Sequence, residues 1–141
     1  MKSLFDIAGI IRIARQIADQ YDAGNDSNAA FCRYIRNEME NAKWTYNTFV
    51  DKTLLNPSIY YAIRGGKLSN PEKDTVVAIC IGLAMKWFKA EKMLNLCGYT
   101  LRNTKADNAY RHIFDYSDQG IDFCNEILRI LDIPLLGSQS R

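Results

Sequence analysis

The chain is short of the residues that usually announce a reaction or a bound metal. It has one histidine, His112, three prolines and four cysteines. A zinc site needs clustered thiolate or imidazole ligands, but Cys32, Cys80, Cys97 and Cys124 stand far apart, form no C-x-x-C pair and have no histidine close by in sequence. Each sits among apolar residues at helical spacing, so all four are expected to be core thiols, with no metal and no cofactor. Nor is there a glycine-rich phosphate loop, or a carboxylate pair in a recognisable context. His112 and Asp115 fall close together on a helical stretch but lack a nearby nucleophile, and a role-by-role search for catalytic parts excludes an enzyme. His112 is expected on a helix surface.

Longer-range signals are missing too. No apolar run is long enough to cross a bilayer, and neither an arginine-rich transit peptide nor a secretory segment with a cleavage site is visible. The expectation is a cytoplasmic protein with no membrane partner. Charge of one sign is also scarce, since 18 Lys and Arg against 16 Asp and Glu leave a net of +2. The excess is local. Residues 29–70 carry Arg33, Arg36, Lys43, Lys52, Arg64 and Lys67 against Glu38, Glu40 and Asp51, and the remainder of the chain is close to neutral.

What is there is helical periodicity from end to end, with little sign of a strand, in a chain that is 48% hydrophobic and long enough for one core. The fold class is all-α. From about Ser3 to Asp22, Leu4, Ile7, Ile11, Ala14, Ile17, Ala18 and Tyr21 share one face of an amphipathic helix. The small, polar run Ala23 to Asn28 reads as a linker. Residues 29–42 place Phe31, Tyr34, Ile35 and Met39 on a scaffold helix, followed by Trp44 as a plug.

Two short helices come next. Thr45 can cap the first, whose inward residues are Phe49 and Val50, and Leu54-Leu55 lead into the second, held down by Tyr60 and Ile63. Asn56 is a capping residue and Pro57 suits the first helical position, while Gly65-Gly66 can take the left-handed geometry that ends a helix. The rod from Asn56 to Arg64 is therefore well bounded, and the pair is a helix-turn-helix. Presented by its amino end, such a rod suits the major groove of B-DNA.

Asn70-Pro71-Glu72 repeats the Asn-Pro opening ahead of Val76, Val77, Ile79, Cys80, Leu83 and Ala84, a stretch apolar on nearly every side and expected to be the most buried. A helix from Trp87 to Leu96 ends at Gly98. Thr104 with Asp107 resembles a capping box for a helix ended by Gly120. The last helix, about Asp122 to Leu131, stops at Ile133-Pro134, Leu135-Leu136 can tuck into the core, and Gly137 to Arg141 should fray. The boundaries read as 1–28 for the N-terminal amphipathic helix and linker, 29–99 for the helix-turn-helix domain, and 100–141 for a C-terminal helical extension packed on the same core.

From about Phe31 to Tyr99 the chain resembles the lambda-repressor and Cro-like helix-turn-helix family, often called the XRE family. The pieces that carry the resemblance are the scaffold helix, the short helix after Lys43-Trp44-Thr45, the turn, Asn56-Pro57-Ser58-Ile59-Tyr60, the exit Ile63-Arg64-Gly65-Gly66-Lys67 where the family usually has I-x-N-G-K, and the helix opening on Asn70-Pro71. The end of the chain, to Ile133-Pro134-Leu135-Leu136-Gly137, is similar to the C-terminal extension of small regulators of this kind. The resemblance implies a sequence-specific transcriptional regulator binding double-stranded DNA as a homodimer. Leu4–Tyr21 and Asp122–Leu136 are the faces expected to join two copies.

Positions resembling the family's base-reading set are Asn56, Pro57, Ser58 and Tyr61, with Ala62 beside them. None is Arg, Lys or Gln, so direct readout is expected to be modest. Phosphate contacts are expected from the first turn after Thr45, the hydroxyls of Thr45 and Tyr46, the backbone at Gly65 and Gly66, and Lys67 and Lys73. Two residues are larger than the family commonly places there, Val50 for Ala and Leu54 for Gly. A left-handed Leu54 costs roughly 1 kcal/mol, unless the turn is built differently. The alternative to DNA binding is a protein-interaction adaptor or antitoxin-like module on a degenerate helix-turn-helix body, with residues 4–21 facing the partner.

Overall fold

The protein is described by a computed structural model that covers residues 6–137, with side chains described outside 18–28. It is all-α, with seven α-helices, one 3-10 turn and no strand among the described residues. The helices are α1 (Ile7–Asn41), α2 (Tyr46–Thr53), α3 (Pro57–Arg64), α4 (Lys73–Gly82), α5 (Trp87–Leu96), α6 (Lys105–Ile113) and α7 (Ile121–Ile130). The 3-10 turn, Phe114–Gln119, lies between α6 and α7.

One apolar cluster holds these elements together. It runs from Phe31, Ile35 and Met39 on α1 through Phe49 and Ile63 to Phe114, Leu128 and Leu136, so residues 100–137 close the same core as the helix-turn-helix segment. α4 is its axis. Every residue from Val76 to Ile81 is buried, because this helix is apolar on all sides and has neighbours all round, including α2, α5, α7 and the 3-10 turn. Cys32, Cys80 and Cys124 are buried and Cys97 is half-buried, all as free thiols.

The first departure from the sequence reading is the linker. Residues 23–28 are helical, and α1 is continuous for 35 residues, about 52 Å at the usual rise. Gly24, Asn25, Asp26, Ser27 and Asn28 are each poor helix formers by about 0.5–1 kcal/mol, but none removes a backbone hydrogen bond as proline would, and alanines flank them. The run is a weak stretch of helix and not a break. The helix begins at Asp6, whose carboxylate accepts from the Gly9 amide at 3.2 Å. Ser3 and Leu4 lie outside the described residues.

Other helix starts and ends separate the expected from the unexpected. The exit of α3 is as anticipated, with Gly66 at φ +67° and the Gly66 and Lys67 amides returning to the Ile63 and Ala62 carbonyls. Gly65 stays right-handed. Lys43, Ala84 and Asp132 do the same work at the ends of α1, α4 and α7 with a side chain in the left-handed region. The Asn70-Pro71 opening is displaced: Asn70 is left-handed at φ +48°, Pro71 is buried, and α4 starts after Glu72. The reason is on the opposite side of the loop, where the Tyr99 hydroxyl donates to the Pro71 carbonyl at 2.7 Å and holds that residue out of the helix.

Thr104 and Asp107 make half of a capping box. The Thr104 hydroxyl accepts from the Asp107 amide at 3.1 Å, but the Asp107 carboxylate turns away to the Arg102 amide at 2.8 Å and the Lys73 ammonium at 3.1 Å. Leu136 is fully buried as expected. Gly137 does not fray: it is buried against Leu54, while residues 138–141 lie outside the described residues.

Candidate nucleic-acid interface

Local chemistry fixes α2 and α3 at a short turn. The Thr45 hydroxyl caps α2, accepting from the Thr48 amide at 3.3 Å, and the Asn56 side-chain oxygen caps α3, accepting from the Ser58 amide at 2.9 Å. Between them Leu54 adopts φ +58°, ψ +21°. Of the two outcomes expected for this turn, Leu54 takes the left-handed one. Buried Thr53 secures it, since its hydroxyl donates to the Phe49 carbonyl at 2.7 Å and accepts from the Leu55 amide at 3.2 Å. The Leu55 amide, past the end of α2, would otherwise be stranded.

An aromatic seam joins the helices. Phe49 is fully buried, with the Trp44 ring edge-on at 6.3 Å and the Tyr60 ring at 5.4 Å. Outside it, Tyr46 at the start of α2 stacks on Tyr61 of α3 at 5.9 Å and 28°, and meets Tyr60 edge-on at 6.2 Å. Val50 is half-buried at this junction.

α3 turns Tyr60 and Ile63 inward and leaves Ser58, Tyr61 and Arg64 exposed, with Tyr61 at 61%. Of the expected base-reading residues, Ser58 and Tyr61 are exposed on this outer face, Tyr61 with its ring stacked on Tyr46. Asn56 is exposed but its oxygen is engaged in the cap, which leaves the amide nitrogen to donate. Pro57 is half-buried at the first helical position.

The expected phosphate ligands divide similarly. Thr45, Tyr46, Gly65, Gly66 and Lys67 are all exposed near the two helix ends. Lys73, expected among them, is engaged within the chain: its ammonium is held 3.1 and 3.2 Å from the two oxygens of buried Asp107. Burial alone would raise the Asp107 pKa, but the Arg102 amide, the Lys73 ammonium and the nearby Arg111 charge hold it below the ordinary carboxylate value. Moving Lys73 away would leave that carboxylate only the Arg102 amide as a partner and the Arg111 charge nearby.

Two arginines stand at the exit of α3. Arg64 lies over the Tyr60 ring at 5.9 Å with its Nη1 donating to the Tyr60 hydroxyl at 3.4 Å, and Arg36 on α1 donates to the Arg64 carbonyl at 3.2 Å. The exit of α3 therefore carries two guanidinium groups beside Lys67. The Tyr60–Arg64 spacing of i, i+4 was the signal in the sequence. The opposite end is acidic, since a cavity of about 190 Å³ at the start of α3 is lined by Asn56 and Ile59 together with Glu72 and Asp74. An approaching polyanion meets attraction at the Arg64 and Tyr61 side and repulsion at the Glu72 side.

The cysteines take no part. Burial pushes Cys124 up to about 11 and Cys97 up to about 12, with Cys80 higher still, so these thiols stay protonated at neutral pH. His112 and Asp115 are both exposed. Among the described residues no group of three His, Cys, Asp or Glu is placed to hold a metal ion, and no helix is long and apolar enough to cross a membrane. Comparison with known proteins finds no matching family, no matching curated protein and no matching solved structure.

Proposed function

We propose that the chain is a sequence-specific DNA-binding transcriptional regulator of the lambda-repressor type that inserts α3 into the major groove as a homodimer. The observation that carries this reading is the exposed outer face of α3, with Ser58 and Tyr61 open to solvent and Arg64, Arg36 and Lys67 at its exit. Ser58 and Tyr61, with the Asn56 amide nitrogen, would meet base edges, while the capped start of α2, the Gly65-Gly66 backbone and Lys67 would meet phosphates. Twofold copies would hold their α3 helices about 34–36 Å apart, one turn of duplex.

A mobility-shift titration against DNA from upstream of the chain's own gene, at two salt concentrations, tests it. Several phosphate contacts make affinity fall steeply with salt. Selection from a random duplex pool that enriches no sequence rejects the reading. A protein-interaction module is the second reading, and one observation favours it: the amino-terminal half of α1 leaves Ile7, Ile10, Ile11, Ile13 and Ile17 between 46% and 68% exposed. An apolar partner interface there would be insensitive to salt.

A further inference from the structure

We propose that the groove between α5 and α6 is a binding site for a small carboxylate with an apolar body, held by Arg111 against Trp87. The groove has a volume of about 340 Å³, within the range of small-molecule sites, and none of α2 or α3 lines it. Its walls are Trp87, Leu94, Tyr99 and Leu101, and its charged groups are Glu91 and Arg111. Trp87 is fixed from behind, stacked on buried Phe114 at 5.9 Å and 27°.

Arg111 is the reason to expect an anion. Its guanidinium lies 5.7 Å from the centre of the Trp87 ring, donates from Nη1 to Asn108 at 2.6 Å and from Nη2 to the Leu101 carbonyl at 3.0 Å. Those bonds use two of five donors and fix the plane of the fork. Three ion pairs join described residues, Lys73–Asp107, Lys86–Asp118 and Arg129–Glu126, and Arg111 is in none of them. Asp107, which feels its charge, is already engaged by Lys73 and the Arg102 amide. A half-buried guanidinium with a fixed plane and donors to spare takes a planar carboxylate two bonds at a time, and the apolar walls, Trp87, Leu94, Tyr99 and Leu101, take the apolar body.

Glu91 decides which carboxylate. It is exposed on the rim of the groove and joined to no cation in an ion pair. A free amino acid would place its ammonium toward Glu91, whereas the deaminated acid would leave Glu91 in water. The two sources share the Arg111 contact and differ only at that carboxylate.

Calorimetric titration of the full chain with 3-phenylpropanoate, L-phenylalanine and L-phenylalaninamide tests the site. Saturable binding of an acid at least about tenfold tighter than the amide is expected, and Arg111→Gln should weaken it about tenfold or more, with Arg111→Lys retaining part. Arg111 also supports the Leu101 carbonyl, so Glu91→Gln, which breaks no bond within the chain, gives the independent arm. If L-phenylalanine binds more tightly than 3-phenylpropanoate and loses that advantage in Glu91→Gln, the ligand is an amino acid; if the two acids bind alike, it is the plain acid. No saturable heat from either acid up to about 10 mM, or an amide that binds as well as the acids, overturns the proposal.

Discussion

Gly137 lies against Leu54 so closely that a Cβ built on it would fall 2.5 Å from the Leu54 Cβ and 2.7 Å from the Leu54 carbonyl oxygen. Both residues are left-handed, Gly137 at φ +89° and Leu54 at φ +58°. The contact is made by a strap, residues 133–137, which Asn125 of α7 clamps at Leu136: the Leu136 amide donates to Oδ1 at 2.8 Å and Nδ2 donates to the Leu136 carbonyl at 3.2 Å. The end of the chain thus braces the turn that sets the angle between α2 and α3, and the strain at Leu54 is offset by packing supplied more than eighty residues away.

Gly137→Ala should therefore be costly for two reasons, overlap and backbone strain. Together they predict a loss of roughly 2–4 kcal/mol, read as a lower urea midpoint at unchanged slope. Gly98 is the matched control, left-handed at φ +84° with nothing within 4 Å of a built Cβ. Gly98→Ala should lose only the conformational part, about 1 kcal/mol. Equal losses at the two positions would show that the strap does not press on the turn.

Lys67 and Lys73 were equivalent in the sequence and are not equivalent in the fold. Lys67 is exposed and joined to nothing, whereas Lys73 is bound to Asp107. On the DNA-binding reading, Lys67→Ala should weaken binding evenly across sequences and lower the slope of log affinity against log salt by about 1. Lys73→Ala should leave that slope alone and lower the melting temperature. The reverse pattern would put Lys73 on the duplex after all.

Asp107 gives a pH signature. Its native pKa lies below the ordinary value, so the unfolded chain takes up this proton more readily than the folded one. The stabilisation is complete above the unfolded carboxylate value of about 3.9 and drains away as pH falls through the lower native value. Asp107→Asn should lose about 1–3 kcal/mol at pH 7 by removing charge-assisted bonds, and the gap to the unmodified chain should narrow toward pH 3. Urea midpoints of both chains from pH 7 downward would measure it, and a gap constant with pH would show that the charge of Asp107 is not what matters.

How much of this was legible follows from which signals are local. Asn56-Pro57, Gly65-Gly66 and the all-round apolar run after Asp74 announce themselves within a few residues, and the helices appear where those residues require. Ends made by Lys43, Ala84 and Asp132 do not, because a left-handed side-chain residue carries no marker that glycine would carry. The continuity of α1 was hidden for the opposite reason: Gly24 to Asn28 look like a linker, but their helix penalty is small beside that of a proline. At the candidate interface, exposure of Ser58 and Tyr61 followed from their register opposite Tyr60 and Ile63. The capture of Lys73 by Asp107 and the bracing of Leu54 by Gly137 link residues thirty and eighty positions apart, and no spacing rule reaches that far.

The amino-terminal half of α1 exposes a stripe of isoleucines. A helix with no packed face is marginal in water, and this one keeps Ile10 at 51% and Ile17 at 62% exposed, seven residues apart on one side. Pairing with the same stripe of a second copy would remove both from solvent and supply the twofold axis that the DNA-binding reading needs. Ile10→Glu together with Ile17→Glu should then turn a dimer into a monomer in sedimentation, while the stability of the body moves by less than about 0.5 kcal/mol, since neither side chain reaches the core. DNA affinity should fall with the dimer, because half-site contacts no longer act together. A dimer that survives both substitutions shifts the interface to α7 and its end, where Phe123, Ile130 and Leu131 are also exposed, and Ile130→Glu becomes the substitution that must break it.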